Sequence, residues 1–233
     1  MSHSVKSIRK QFAERGVFYT DLRLAERLKE IVSAVTPITE VYDPTCGCGN
    51  LLSVFPDYVT KYGQELDGEQ AEEAAKLPNA HIVAGDTLAA PAFVNHKFRH
   101  IVANYPFSVK WTPHADERWS AAPCLPPPSR ADYAFILHIL SMLADDGIAA
   151  VLGFPGILYR GQKEGTIRRW LVERNVIDSV TMIEGGYFED TKIATVLIVF
   201  RKNRSSNTIR FADNLSGKDI TVGIEQVKKM ILI

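Results

Sequence analysis

Cysteine is scarce in this chain, with Cys46, Cys48 and Cys124 the only three among 233 residues. An odd, sparse set without a secretion signal excludes a disulfide framework and points to a reducing compartment, the cytoplasm. Cys46 and Cys48 stand too close together for a usual structural zinc pair, and no Cys/His cluster follows, so no metal is expected. Charge of one sign is missing too: 27 Lys plus Arg face 27 Asp plus Glu. A protein that grips nucleic acid unaided is usually basic. Neutrality therefore calls for a local basic face, or for a partner that supplies most of the grip. No apolar run approaches the length of a membrane helix, and the N-terminus M-S-H-S-V-K-S lacks a signal-peptide core, so no membrane association is expected. There is no internal repeat. What remains is an ordinary globular composition, 46% hydrophobic and 23% charged. The length suits one large domain, or one domain with appendages.

The most informative stretch is Val41 to Leu52, V-Y-D-P-T-C-G-C-G-N-L-L. Val41 and Tyr42 read as the end of a buried strand that Asp43-Pro44 stops. Gly47 and Gly49 permit a tight turn and close approach of backbone to a ligand. Asn50-Leu51-Leu52 reads as the start of a helix whose free N–H groups face the turn. In an open α/β sheet, ligands bind beyond the carboxyl ends of the strands. The stretch lacks the third glycine of the dinucleotide pattern G-x-G-x-x-G, and no Gly-Lys-Ser/Thr follows to make a P-loop.

The rest of the chain alternates helix and strand signals. Leu24, Leu28, Ile31, Val32 and Val35 share one helical face, with Thr20 read as the N-cap and Pro37 as the stop. Strands are expected at Val59–Gln64, His81–Ala84, Phe98–Ala103 and Ile148–Phe154, with helices at Gln70–Leu77, Ala131–Leu143 and Gly165–Glu173. On the helix over 131–143, Tyr133, Ile136, Leu137, Leu140 and Leu143 are expected to face the sheet. Val176–Ile183 and Lys192–Phe200 read as an antiparallel edge pair. Residues 108–130 are rich in Pro and Trp without a period, which marks a long functional loop. There Lys110, Arg118 and Arg130 alternate with Trp111 and Trp119, as on nucleic-acid surfaces. A loop packed on its own aromatics is the equal alternative.

Two of these segments together resemble a known family. D-P-T-C-G-C-G at 43–49 is similar to the D-P-x-C/A-G-x-G loop of the amino-methylating DNA methyltransferases, which binds S-adenosylmethionine (SAM). Asn104-Tyr105-Pro106-Phe107 stands where that family carries an Asn/Asp/Ser-Pro-Pro-aromatic tetrad. G-V-F-Y-T at 16–20 resembles the family's N-terminal cofactor motif. The resemblance implies a SAM-dependent, Rossmann-like α/β methyltransferase fold. Its mixed seven-strand sheet would have helices on both faces and a C-terminal antiparallel hairpin. It implies cofactor contacts from Phe18, Tyr19 and Thr20, from Asp43, Pro44, Cys46, Gly47, Gly49 and Leu51, and from Asn104. Glu65, with Leu66 beside it and Asp67 as second choice, would accept the ribose hydroxyls. Asp86, Thr87 and Leu88 would meet the adenine of the cofactor. Asn104, Tyr105, Pro106 and Phe107 would act on the target base. The Asn104 side-chain oxygen and the Tyr105 backbone carbonyl would hold the amino group, while Phe107 stacks on the ring.

The resemblance narrows at L-P-P-P-S-R-A-D-Y-A-F, residues 125–135, which is similar to modification subunits of type I restriction–modification systems, and it covers roughly residues 12–203. It implies adenine-N6 methylation of DNA. Expected boundaries are an arm with the cofactor motif at 1–20, a catalytic domain at 21–203 with a substrate-side loop at 108–130, and a tail at 204–233 in which Ile209-Arg210-Phe211 is a strand candidate. Those subunits usually carry a preceding helical domain, and Tyr105 stands where Pro is usual. These departures leave room for a separate specificity subunit or a reduced, phage-borne form. They also leave a catalytically weak SAM- and DNA-binding subunit, or a methyltransferase acting on protein glutamine or RNA, as rivals.

Overall fold

The structure is a computed structural model that describes residues 20–183, 195–213 and 218–231. In chain order the strands are β1 (Glu40–Asp43), β2 (Thr60–Glu65), β3 (Ala80–Ala84), β4 (Phe98–Asn104), β5 (Leu143–Gly153), β6 (Ile177–Ile183), β7 (Thr195–Arg201), β8 (Thr208–Asp213) and β9 (Lys218–Gly223). The helices are α1 (Leu22–Ser33), α2 (Asn50–Ser53), α3 (Gly68–Ala74), α4 (Asp132–Met142), α5 (Gln162–Glu173) and α6 (Ile224–Ile231). Among the described residues no helix is long and apolar enough to cross a membrane.

The strands form one sheet in the order β3-β2-β1-β4-β5-β7-β6-β8-β9. β1 to β5 run parallel, and β7 inserts antiparallel between β5 and β6. Alternate side chains feed opposite faces, as the pleat requires. Ile101, Ala103, Ala149 and Val151 join the core beneath α4 and α5, whereas Val102, Ile148, Ala150 and Leu152 join the core beneath α1. Leu24, Leu28 and Val32, one helical repeat apart, are the buried stripe of α1. Between β1 and β4 the chain order of the strands reverses, which opens a crevice at their carboxyl ends.

Two expectations about the sheet are corrected. It has nine strands where seven were expected, because the segment read as a tail adds β8 and β9. β8 pairs in parallel with the outer edge of β6, Ser179 opposite Arg210, and buries Ile209, while β9 buries Val222. The β6–β7 pair therefore lies inside the sheet and is not its edge. The expected start of β7, Lys192 to Ala194, lies outside the described residues.

Helix α4 also differs from its pattern. Every residue from Asp132 to Leu140 is buried, so it has no solvent face. The loop at 108–130 packs Trp119 into the same core as this helix. The loop binds itself together: Trp111 N–H donates to Pro128 O at 3.0 Å, and Trp119 Nε1 donates to His114 O at 2.8 Å.

Candidate active site

Beyond the carboxyl ends of β1, β2 and β4 lies a cavity of about 760 Å³. Its floor is the glycine loop after β1, where Asp43, Pro44, Thr45, Cys46, Gly47, Cys48, Asn50 and Leu51 line it. Gly49 does not line the cavity. It holds φ at +91°, and a Cβ there would lie 2.7 Å from Leu77 Cδ1, so glycine is what lets the loop seat against α3. Gly63 in β2 does the same for Cys46, whose Sγ would meet an added Cβ at 2.8 Å. Cys46 is thus a packing residue as well as a lining one. The helix expected at Asn50 is the single turn α2.

Asp43 is fully buried, with Oδ1 accepting from Thr45 N at 3.0 Å. Burial pushes its carboxyl up to about 7, and the nearby charge of Glu65 adds to the shift. Glu65 closes the loop from β2: Oε2 accepts from Gly47 N at 2.9 Å and Oε1 from Asp67 N at 3.0 Å. Leu66 and Asp67 line the same wall. Asp67 caps α3, its Oδ1 accepting from Glu69 N and Gln70 N. The opposite wall is the turn Gly85-Asp86-Thr87-Leu88-Ala89 after β3. Asp86 Oδ1 accepts from Leu88 N at 2.8 Å, and Thr87 Oγ1 donates to Pro44 O at 2.7 Å, tying this turn to the glycine loop.

Asn104 ends β4 and lines the cavity with Pro106. Its Nδ2 donates to Thr20 Oγ1 at 3.0 Å. Thr20 was read as the cap of α1. Asp21 takes that role, accepting from Arg23 N at 2.8 Å, and Thr20 turns to the cavity. Phe18 and Tyr19 lie outside the described residues. Tyr105 does not line the cavity. It is buried, stacked on Phe135 at 5.2 Å between centroids and 13° between planes, and edge-on to Phe107 at 5.7 Å. Ser108 N donates to Asp132 Oδ2 at 3.1 Å and Ser108 Oγ accepts from Arg160 Nη2 at 3.1 Å, which fixes the turn after Phe107.

The loop at 108–130 contributes Val109, Lys110, Trp111 and Thr112 to the cavity. Its five cation and tryptophan candidates divide, and Arg130 is exposed, 3.8 Å from Glu164 Oε2. Lys110 is exposed and Trp111 half-buried, whereas Trp119 is buried and the side chain of Arg118 is 7% exposed, with its guanidinium turned inward. Arg118 and Trp119 therefore hold the loop together and do not form a nucleic-acid surface. Sequence reasoning missed Thr45, Gln70 and Phe135. Thr45 sits within the motif, and Gln70 follows the α3 cap by three residues, a spacing that turns it back toward the loop. Phe135 had no local signal beyond its apolar pattern.

The sheet order, with β7 antiparallel between β5 and β6 and a cavity beyond β1, defines the fold as that of the SAM-dependent methyltransferases. The model of the N-6 DNA Methylase family matches residues 6–226, and the chain belongs to that family. It is 34% identical over 220 residues to the type I restriction enzyme MpnII methylase subunit of Mycoplasma pneumoniae, covering 81% of this chain and 40% of that protein. It is 25% identical to the type I restriction enzyme HindI methylase subunit of Haemophilus influenzae, covering 79% and 48%. Among solved structures, the methyltransferase subunit of a type I restriction–modification system from Streptococcus thermophilus superposes with a TM-score of 0.80 at 30% identity, covering 92% of this chain and 53% of that one. The chain spans about half the length of these relatives, or less.

Proposed function

We propose that the chain transfers a methyl group from SAM to the N6 amino group of adenine in DNA. One observation carries the reading. A single cavity joins the glycine loop, Glu65, the Asp86–Leu88 turn and Asn104, so a nucleoside site and an amide at a strand end open onto one space. The residues fit the cofactor. The volume lies in the small-ligand range, and the buried Gln70 Oε1 of the lining has no hydrogen-bond partner among the described residues. Glu65 would hold the ribose hydroxyls, Asp86 the adenine amino group, and Thr20 with Asp43 the methionine end. When bound, SAM supplies a methyl group already activated by its sulfonium.

The chain's own residues do the rest. An exocyclic amine is a poor nucleophile because its lone pair is delocalised into the ring. The Asn104 Oδ1 and the Tyr105 backbone carbonyl accept its two N–H bonds and favour a pyramidal, nucleophilic nitrogen. Pro106 and Phe107 hold the ring, which must leave the duplex to arrive there. The side chain at 105 takes no part, since it points into the core, so the usual Pro is not needed for this carbonyl. Lys110 and Trp111 stand where the strand enters. Sequence selection in DNA is assigned to a separate specificity subunit.

The test is a filter assay with tritiated SAM against DNA, RNA and protein, followed by mapping of methylated adenines. Label in DNA at adenine N6 is expected; label confined to RNA or to glutamine would replace the substrate. Tyr105 in the tetrad favours a second reading, a SAM- and DNA-docking unit without turnover. That reading requires cofactor binding with no methylated adenine even when the chain is expressed with its genomic neighbours.

A further inference from the structure

The wall that would meet the cofactor's base is braced from the substrate side. Arg118, from the loop at 108–130, donates through Nη1 to Thr87 O at 2.7 Å and through Nη2 to Leu88 O at 2.5 Å. The same guanidinium is gripped by Asp116, with Nε to Oδ1 at 2.9 Å and Nη2 to Oδ2 at 2.8 Å. Its remaining Nη1 hydrogen meets His138 Nδ1 at 3.2 Å, and the plane lies over Trp119 at 4.4 Å. All five N–H donors of an arginine are thereby used, two of them on consecutive carbonyls of one turn. Burial, with the Arg118 charge next to it, pushes His138 down to about 3, so a neutral imidazole accepts at Nδ1 while Nε2–H faces Tyr42 Oη at 3.1 Å. Lysine, a point charge with three donors, cannot reproduce this fork. Arg118 itself does not line the cavity.

We propose that Arg118 is a positioning residue for cofactor recognition: from the substrate-side loop it sets the Asp86–Leu88 turn, so discrimination of the cofactor's base depends on that loop. The inference rests on the SAM reading of the cavity. Thr87 Oγ1 ties the turn to the glycine loop through Pro44 O, and Arg118 ties it to the loop carrying Lys110 and Trp111. A displacement of the loop on substrate entry is thus transmitted to the base wall through two hydrogen bonds.

The experiment compares calorimetric affinities of the full chain for S-adenosylhomocysteine and for its deaminated counterpart, which carries hypoxanthine in place of adenine. The parent is expected to prefer the adenine compound. Arg118→Ala should lower that preference at least fivefold, mainly by weakening the adenine compound, and Arg118→Lys should fall between. A merely structural role would weaken both compounds equally, and that result, or an unchanged preference, overturns the proposal. If Arg118→Ala does not give a cooperative melt, Arg118→Lys and Asp116→Asn carry the same comparison, and an unchanged preference in both overturns it. A parent that binds both compounds equally also overturns it. A parent that binds neither removes the cofactor reading itself, an outcome distinct from the failure of Arg118 alone.

Discussion

Asn104 Nδ2 lies 3.0 Å from Thr20 Oγ1, so the residue at the end of β4 is oriented by one 84 positions earlier in the chain. The contact sets which end of the amide faces the start of α1. Asn104→Ala should abolish methyl transfer, a loss of at least about 10²-fold to 10³-fold. Cofactor affinity should change by less than about threefold, since one of many lining groups is removed. Single-turnover transfer and calorimetry on the same preparation check both halves. Activity equal to the parent would refute the assignment.

Tyr105 turns its ring into the core, stacked on Phe135. Its buried hydroxyl has no hydrogen-bond partner among the described residues, and burial lifts its pKa far above the usual phenol value. Removing such a hydroxyl relieves desolvation without breaking a bond. Tyr105→Phe should therefore keep full transfer activity and melt at the same temperature or slightly higher. Tyr105→Ala, which empties the space beside Phe135, should cost about 3–5 kcal/mol. Loss of activity in the Phe variant would mean that the hydroxyl takes part in the reaction.

Asp43 makes the site sensitive to pH. Between its ordinary 3.8 and about 7, folded Asp43 keeps a proton that the unfolded chain has released. Its contribution to stability is full below the lower value and is lost as pH rises toward the upper one. Asp43→Asn should match the parent in denaturant unfolding near pH 4 and exceed it at pH 8, by about 1 kcal/mol or more. A cationic ligand reverses the preference and favours the carboxylate, so SAM affinity of the parent should rise between pH 6 and 8. Asp43→Asn should bind weakly and without that slope. A flat pH profile in the parent argues against Asp43 as the counter-charge.

Gly49 and Gly68 form a matched pair. Gly49 has φ +91° and a neighbour at 2.7 Å from its missing Cβ, whereas a Cβ at Gly68 meets nothing within 4 Å. Gly49→Ala should cost about 2 kcal/mol or more, from the left-handed backbone and from displacement of Leu77. It should weaken SAM binding about tenfold. Gly68→Ala in the first turn of α3 should be neutral or stabilising by a few tenths of a kcal/mol. Equal behaviour of the two variants would show that the loop does not depend on its glycine.

The order of the elements as far as β7, the glycine turn and the strand end at Asn104 were legible because each is written in local residues. Asp43-Pro44 stops a strand, Gly47 and Gly49 permit the turn, and Asn104 ends an apolar run whatever lies around them. Thr20, Asp21 and Arg118 were not legible in that way. Thr20 and Asp21 are equally good caps by residue type, and only the approach of Asn104 decides between them. Arg118 beside tryptophans reads equally as a surface or as a loop packed on itself, and its donors find Thr87 O and Leu88 O, carbonyls that no pattern in the sequence marks as acceptors. Ile209-Arg210-Phe211 was legible as a strand candidate, but not its place: β8 pairs with the edge that β6 offers, and β9 pairs with β8 in turn. Local preference and hydrophobic period determined which segments are strands, turns and helices, and where the glycine loop lies. Long-range hydrogen bonds between backbone and side chains decided which of its polar residues face the cavity and which brace it from behind, because those partners become neighbours only when the sheet is assembled.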